Sequence, residues 1–136
     1  MAERSRLRDI VIDCARASSL AAFWARLLDY RIRPYTEADL QSLRDRGIQD
    51  PADDPEVLLE PTDGGPRIWF VQVPEGKAVK NRIHLDVNLR PGEDLAWVQG
   101  LGALLIGQPE GRRWTIFADP EGNEFCVFPI GTQGDA

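Results

Sequence analysis

Residues Arg113–Pro129 read RWTIFADPEGNEFCVFP, and their pattern is strand, tight turn, strand. Trp114, Thr115, Ile116 and Phe117 form one aromatic and β-branched run, and Phe125, Cys126, Val127 and Phe128 form another. Asp119, Pro120, Glu121, Gly122 and Asn123 lie between them, with the Pro and Gly chemistry of a turn. Side chains alternate along a strand, so Glu124, Cys126 and Phe128 share one face while Phe125 and Val127 share the other. A carboxylate and a thiol thus fall side by side on an otherwise apolar face. The plainer reading is an edge strand with Glu124 in water and Cys126 as a small buried hydrophobe.

The whole length of 136 residues suits a single domain, 1–136, with a real core. The 43% apolar and 28% charged composition is that of an ordinary globular chain. No apolar run is long enough to span a membrane, and the charged opening MAERSRLRD lacks the apolar centre of a signal peptide. Two cysteines without a framework spacing read as free thiols in a reducing compartment, so a cytoplasmic location is expected. The net charge of -6 argues against a nucleic-acid partner or an anionic membrane.

The chain contains a repeat. Arg8–Cys14 alternates, with Ile10, Ile12 and Cys14 on an apolar face and Asp9, Val11 and Asp13 on the other. Ser18 or Ser19 is the expected cap of a helix running to about Asp29, whose stripe is Leu20, Phe23, Trp24, Leu27 and Leu28. Strands are predicted at Tyr30–Arg33, Val57–Glu60 and Arg67–Val73. The second half starts over at Ile83–Leu89, with Leu85, Val87 and Leu89 on one face and His84, Asp86 and Asn88 on the other. A helix opening at Pro91 and Gly92 and carrying Leu95, Val98 and Leu101 comes next. Strands are then expected at Ala103–Ile106, Trp114–Phe117 and Glu124–Phe128. Both halves read βαβββ. Module 1 covers about 7–75 and module 2 about 80–130. The first strands align Asp9 with His84, and the closing prolines align Pro74 with Pro129. Module 1 keeps an extra stretch, 35–54, whose TEADLQSLRDRG predicts a short helix. It reads as a surface excursion, or as a lid.

The fold class expected is therefore α+β: two βαβββ modules forming one concave, mostly antiparallel sheet with helices on its outer face. Strand parity sends His84, Asp86, Glu124 and Cys126 to the side away from the helices, with Trp69 or Trp114 as an aromatic wall. Such a hollow is a ligand site, although antiparallel sheets also leave that side to water. His84 is the only histidine and the first choice for acid/base work or ligation; the structural alternative is a histidine pinned by Asp86. Glu124 is a general-base or cation-binding candidate. Cys126 is a thiol whose carboxylate neighbour disfavours a thiolate nucleophile. Lys77, Lys80 and Arg82 read as a solvated linker.

The segments AFWARLLDY, VPEGKAVKNRIHLDV and WTIFADPEGNEFCV, set in the paired βαβββ plan, resemble the vicinal oxygen chelate superfamily, closest to glyoxalase-like and bleomycin-resistance-like proteins. The resemblance covers nearly the whole chain outside 35–54. It implies a small-molecule-binding protein: either a lyase, isomerase or dioxygenase-type enzyme of unnamed substrate, or a non-enzymatic protein that sequesters an apolar or aromatic compound. It also implies a homodimer, which the apolar Leu40, Leu43 and Ile48 of the 35–54 stretch favour too. Catalytic relatives hold a divalent metal at four positions, which fall here on Asp9, Val71, His84 and Cys126. Valine has no donor atom, so no cofactor is expected. Zinc, which would accept His84 and Cys126 with Glu124 or Asp86, is the exception.

Overall fold

The computed structural model describes residues 3–130. The elements run β1 (Asp9–Cys14), α1 (Ala17–Leu28), β2 (Tyr30–Ile32), α2 (Glu37–Asp45), β3 (Glu56–Pro61) and β4 (Arg67–Gln72), with a short 3-10 turn at Pro51–Asp53. They continue as β5 (Asp86–Asn88), α3 (Leu95–Gly100), β6 (Leu104–Gly107), β7 (Thr115–Ala118) and β8 (Glu124–Phe128). The chain divides into two compact units, Met1–Glu75 and Gly76–Ala136. Each unit holds one four-stranded sheet, ordered β1-β4-β3-β2 in the first and β5-β8-β7-β6 in the second. In both, the first strand runs parallel to the last, and the other pairs are antiparallel. The α+β class and the duplicated βαβββ plan are thus present in the strand order itself. Among the described residues no helix is long and apolar enough to cross a membrane.

In the first unit the registers Ile12–Phe70 and Phe70–Val57 place these residues on one face with Ile10, Ile68 and Leu59. Helix α1 buries Leu20, Phe23, Trp24 and Leu27. Each such side chain taken from water contributes roughly 1.5–3 kcal/mol, and Phe23 and Trp24 add an edge-to-face contact at 5.4 Å. The helix does not start at Ser18 or Ser19. Arg16 occupies the cap position without a side-chain bond, and the Ala17 N–H donates instead to Gln72 Oε1 at 3.1 Å. A glutamine arriving from β4 satisfies the end that a local serine was expected to satisfy. Ser18 and Ser19 point their hydroxyls to the carbonyls of Ala52 and Arg16.

Helix α2 forms inside the 35–54 stretch, as its sequence predicts. Thr36 and Asp39 make a capping box, and Leu43 is buried. With Leu43 covered by its own chain, one of the apolar residues that favoured a dimer no longer does so.

In the second unit Val87, Leu89, Val98, Phe117, Phe125 and Val127 are buried, and the Phe117 and Phe125 rings stack at 5.9 Å. Two elements are shorter than expected. Strand β5 pairs only over Asp86–Asn88, leaving Ile83 and His84 outside the ladder. Helix α3 opens at Leu95, where Asp94 caps the Trp97 N–H at 2.8 Å. Pro91 and Gly92 make a turn before it, closed by Glu93 N–H to the Arg90 carbonyl and by Glu93 Oε1 accepting from the Arg90 N–H.

Candidate functional site

The site face of the second unit is set by ladder register. Asp86 pairs with Cys126 and Asn88 with Phe128, while Ile116 pairs with Cys126 and Ala118 with Glu124. Paired residues share a face. Asp86, Cys126, Ile116, Phe128 and Glu124 therefore share one side, and Phe125, Val127 and Phe117 share the core side. Trp114, one residue before β7, lies against Phe128 with ring centroids 5.6 Å apart, and the Arg112 guanidinium sits 5.3 Å from the Trp114 ring.

Three expected site residues come together. The donor atoms of His84, Asp86 and Cys126 all lie within 4.8 Å of one another, with His84 Nε2 at 3.5 Å from Asp86 Oδ1. Residues two apart in an ideal strand stand about 7 Å apart, so this convergence needs a departure from strand geometry. It arises because His84 precedes the paired part of β5 and is free to fold back on Asp86. The imidazole and carboxylate are about half exposed, whereas Cys126 is 8% exposed. Burial raises the thiol pKa and Asp86 raises it further, with Lys80 opposing. The thiol is thus protonated at neutral pH and a poor nucleophile.

Glu124 is engaged elsewhere. One oxygen accepts the Asn81 N–H at 3.0 Å and the other pairs with Lys77 Nζ at 3.2 Å. The Asn81 N–H first, and Lys77 in addition, hold its carboxyl below the usual value, although burial opposes. A carboxylate so bound is a weak base. It ties the 77–81 segment to β8, and Lys77 also reaches the Val79 carbonyl. The linker residue Lys77 is therefore a structural partner of Glu124, not a freely solvated charge.

Trp69 belongs to the first unit, where its indole N–H donates to Asp9 Oδ2 at 3.2 Å. Arg67 grips the same carboxylate with both arms, at 2.8 and 3.0 Å, and thereby lowers the Asp9 pKa against the opposing effect of burial. Trp69 also lines a cleft of ≈ 180 Å³ between α2 and the sheet, together with Leu43, Arg46, Tyr35, Asp54 and Leu58. The buried Asp54 accepts from Tyr35 Oη at 2.8 Å and from the Glu56 N–H at 2.9 Å. Sequence reading missed this cleft. Its signal was the apolar Leu43 of α2, which is buried and lines the cleft.

Register also corrects the repeat alignment. With Asp9 and His84 equivalent, Asp86 corresponds to Val11, which pairs with Trp69. The residue in module 1 equivalent to Cys126 is therefore Trp69, not Val71. The closing prolines misled because the chain between the ladder and the proline differs in length between the halves.

The duplicated fold and its second-half polar cluster define a glyoxalase-type module. The chain belongs to the glyoxalase-like domain family, whose profile matches residues 9–128, and so to the vicinal oxygen chelate superfamily. The fosfomycin resistance protein FosX of Mesorhizobium loti is similar at a TM-score of 0.63 and 14% identity, over 96% of this chain and 95% of its own. A point mutant of FosX from Listeria monocytogenes, complexed with Mn(II) and 1S,2S-dihydroxypropylphosphonic acid, gives 0.62 at 14% identity over 96% and 94%. A glyoxalase/bleomycin resistance protein/dioxygenase family enzyme from Burkholderia phytofirmans gives 0.61 at 18% identity over 93% and 99%. No curated protein sequence matches the chain. At these identities the structural likeness carries the fold.

The metal of the superfamily's catalytic members does not fit its usual four positions here. A hard cation such as Mn²⁺ takes several oxygen donors. Asp9 is held by Arg67 and Trp69. Trp69 itself offers no donor, and Cys126 offers sulfur in place of a hard oxygen.

Proposed function

We propose that the chain is a small-molecule-binding protein whose ligand lies on the site face of the second module. The polar end meets His84 and Asp86, and the apolar part runs along Ile116 and Trp114, the latter backed by the buried Phe128. The convergence of His84, Asp86 and Cys126 beside an aromatic wall is the observation that carries this reading. A few convergent polar groups against an apolar surface are what orient a small ligand. His84, exposed and close to a carboxylate, is the residue available to move a proton. The second reading is sequestration without turnover. It is favoured by Glu124, whose carboxylate is tied to Asn81 and Lys77.

Ligand-detected NMR against oxygenated organic acids and aromatic compounds tests the proposal. Hits are expected to weaken at least about tenfold in His84→Ala, the loss of one good polar contact of roughly 1.4 kcal/mol, and to weaken also in Trp114→Ala. Hits that bind both variants as tightly as the parent would sink it. Product signals appearing with time would select the enzyme reading over sequestration.

We also propose a homodimer. Strand β6 is an edge strand whose Leu104, Leu105 and Ile106 are 65%, 47% and 55% exposed, and an exposed apolar edge is usually covered. Light scattering at high concentration is expected to give twice the chain mass. The monomer mass would refute it.

A further inference from the structure

His84, Asp86 and Cys126 offer nitrogen, oxygen and sulfur from three side chains whose donor atoms all lie within 4.8 Å of one another. From this geometry we propose that the second module alone binds one soft or borderline divalent cation, zinc in particular, through His84, Asp86 and Cys126. The set differs from the superfamily's four positions in two ways. It recruits Asp86, and it needs nothing from Asp9 or Trp69 of the first module.

The donor chemistry selects the metal. Thiolate with imidazole suits zinc and disfavours Mg²⁺, Ca²⁺ or Mn²⁺, which call for several hard oxygens. Zinc bonds of about 2.3 Å to sulfur and about 2.0 Å to nitrogen and oxygen put tetrahedral ligands roughly 3.3–3.5 Å apart. His84 Nε2 and Asp86 Oδ1 already stand at 3.5 Å, while the three donors together spread over as much as 4.8 Å, so closing on a cation takes an adjustment of about 1 Å. His84 can supply it, because it lies outside the β5 ladder. Asp86 and Cys126 are register partners on adjacent hydrogen-bonded strands, which fixes the other edge of the site.

The cation takes the place of the Cys126 proton, which leaves to solvent as the thiolate–zinc bond forms. Three protein donors, His84 and Asp86 half-exposed and Cys126 buried, leave a fourth position open to water or to an oxygen of a ligand, the arrangement of zinc sites that act on substrates. The inference shares the face of the proposed ligand site. It is read from metal binding alone, so either proposal can fail without the other.

The test uses the full chain, freed of any affinity tag and stripped with chelator, titrated with zinc against a chromophoric competitor and separately with cobalt. One zinc per chain is expected, with a thiolate-to-cobalt charge-transfer absorption in the near ultraviolet. Cys126→Ser is expected to abolish that absorption. His84→Ala and Asp86→Ala are each expected to weaken zinc at least about tenfold, with far-ultraviolet circular dichroism confirming that each variant is folded. Cys14→Ser, which changes the buried thiol of the first module, should leave both readouts as they were. If zinc does not bind saturably, or the cobalt absorption survives in Cys126→Ser, the proposal is wrong.

Discussion

Replacing Phe125 with alanine is expected to remove about 3–5 kcal/mol of stability, the usual result of emptying a buried aromatic site. Phe125 is 1% exposed, stacks on Phe117, and lies in β8 between Glu124 and Cys126, which face the other way. The ring supplies transfer free energy, and its removal leaves a cavity that the flanking strands cannot close without breaking the β7–β8 ladder. A loss of this size is a large part of the roughly 5–15 kcal/mol typical of a whole domain. Urea titration followed by tryptophan fluorescence would measure it. A midpoint shift equivalent to less than about 1 kcal/mol would show that Phe125 is not the core residue its burial implies.

Strand β8 was the most legible part of the chain because two signals agreed there. Its alternation named the core face, and the Pro-Gly turn before it named the start. Strand β5 was less legible. Ile83–Leu89 alternates throughout, but only Asp86–Asn88 finds a partner in the ladder. Alternation reports which face a residue would take if paired, and says nothing of how far the pairing extends. That one difference brings His84 and Asp86 together when an ideal strand would hold them apart.

Long-range partners were the other blind spot. Arg67 and Asp9 are adjacent only because β1 runs parallel to β4, and the helix α1 cap from Gln72 depends on the same pairing. Neither residue type announces such a partner. Trp69 donates to Asp9 and lines the cleft under α2, two partners within its own module that its place in the sequence does not announce.

Asp119→Ala is expected to cost about 2–4 kcal/mol, although it deletes only a few atoms. Asp119 is 3% exposed. Its Oδ1 accepts from the Glu121 N–H at 2.9 Å and the Asn123 N–H at 3.0 Å, and the Asn123 amide reaches both oxygens at 3.1 and 3.0 Å. Each hydrogen bond to a charged group contributes about 1.5–3 kcal/mol. Donors that reach water after the substitution recover part of that, so the sum falls well below simple addition. The backbone bonds Asp119 N–H to Asn123 O and Gly122 N–H to Asp119 O close the turn, with Gly122 at φ 88, a region that favours glycine. The side chain therefore steadies a turn whose backbone can still form. Asp119→Asn keeps one carbonyl acceptor and is expected to lose only about half as much. The turn fixes the register of β8, and hence where Cys126 meets Asp86, so Asp119→Ala should also weaken whatever binds at His84, Asp86 and Cys126. Denaturant titration of the three forms gives the ranking. Alanine and asparagine variants of equal stability, both within about 0.5 kcal/mol of the parent, would mean that the turn holds without its aspartate.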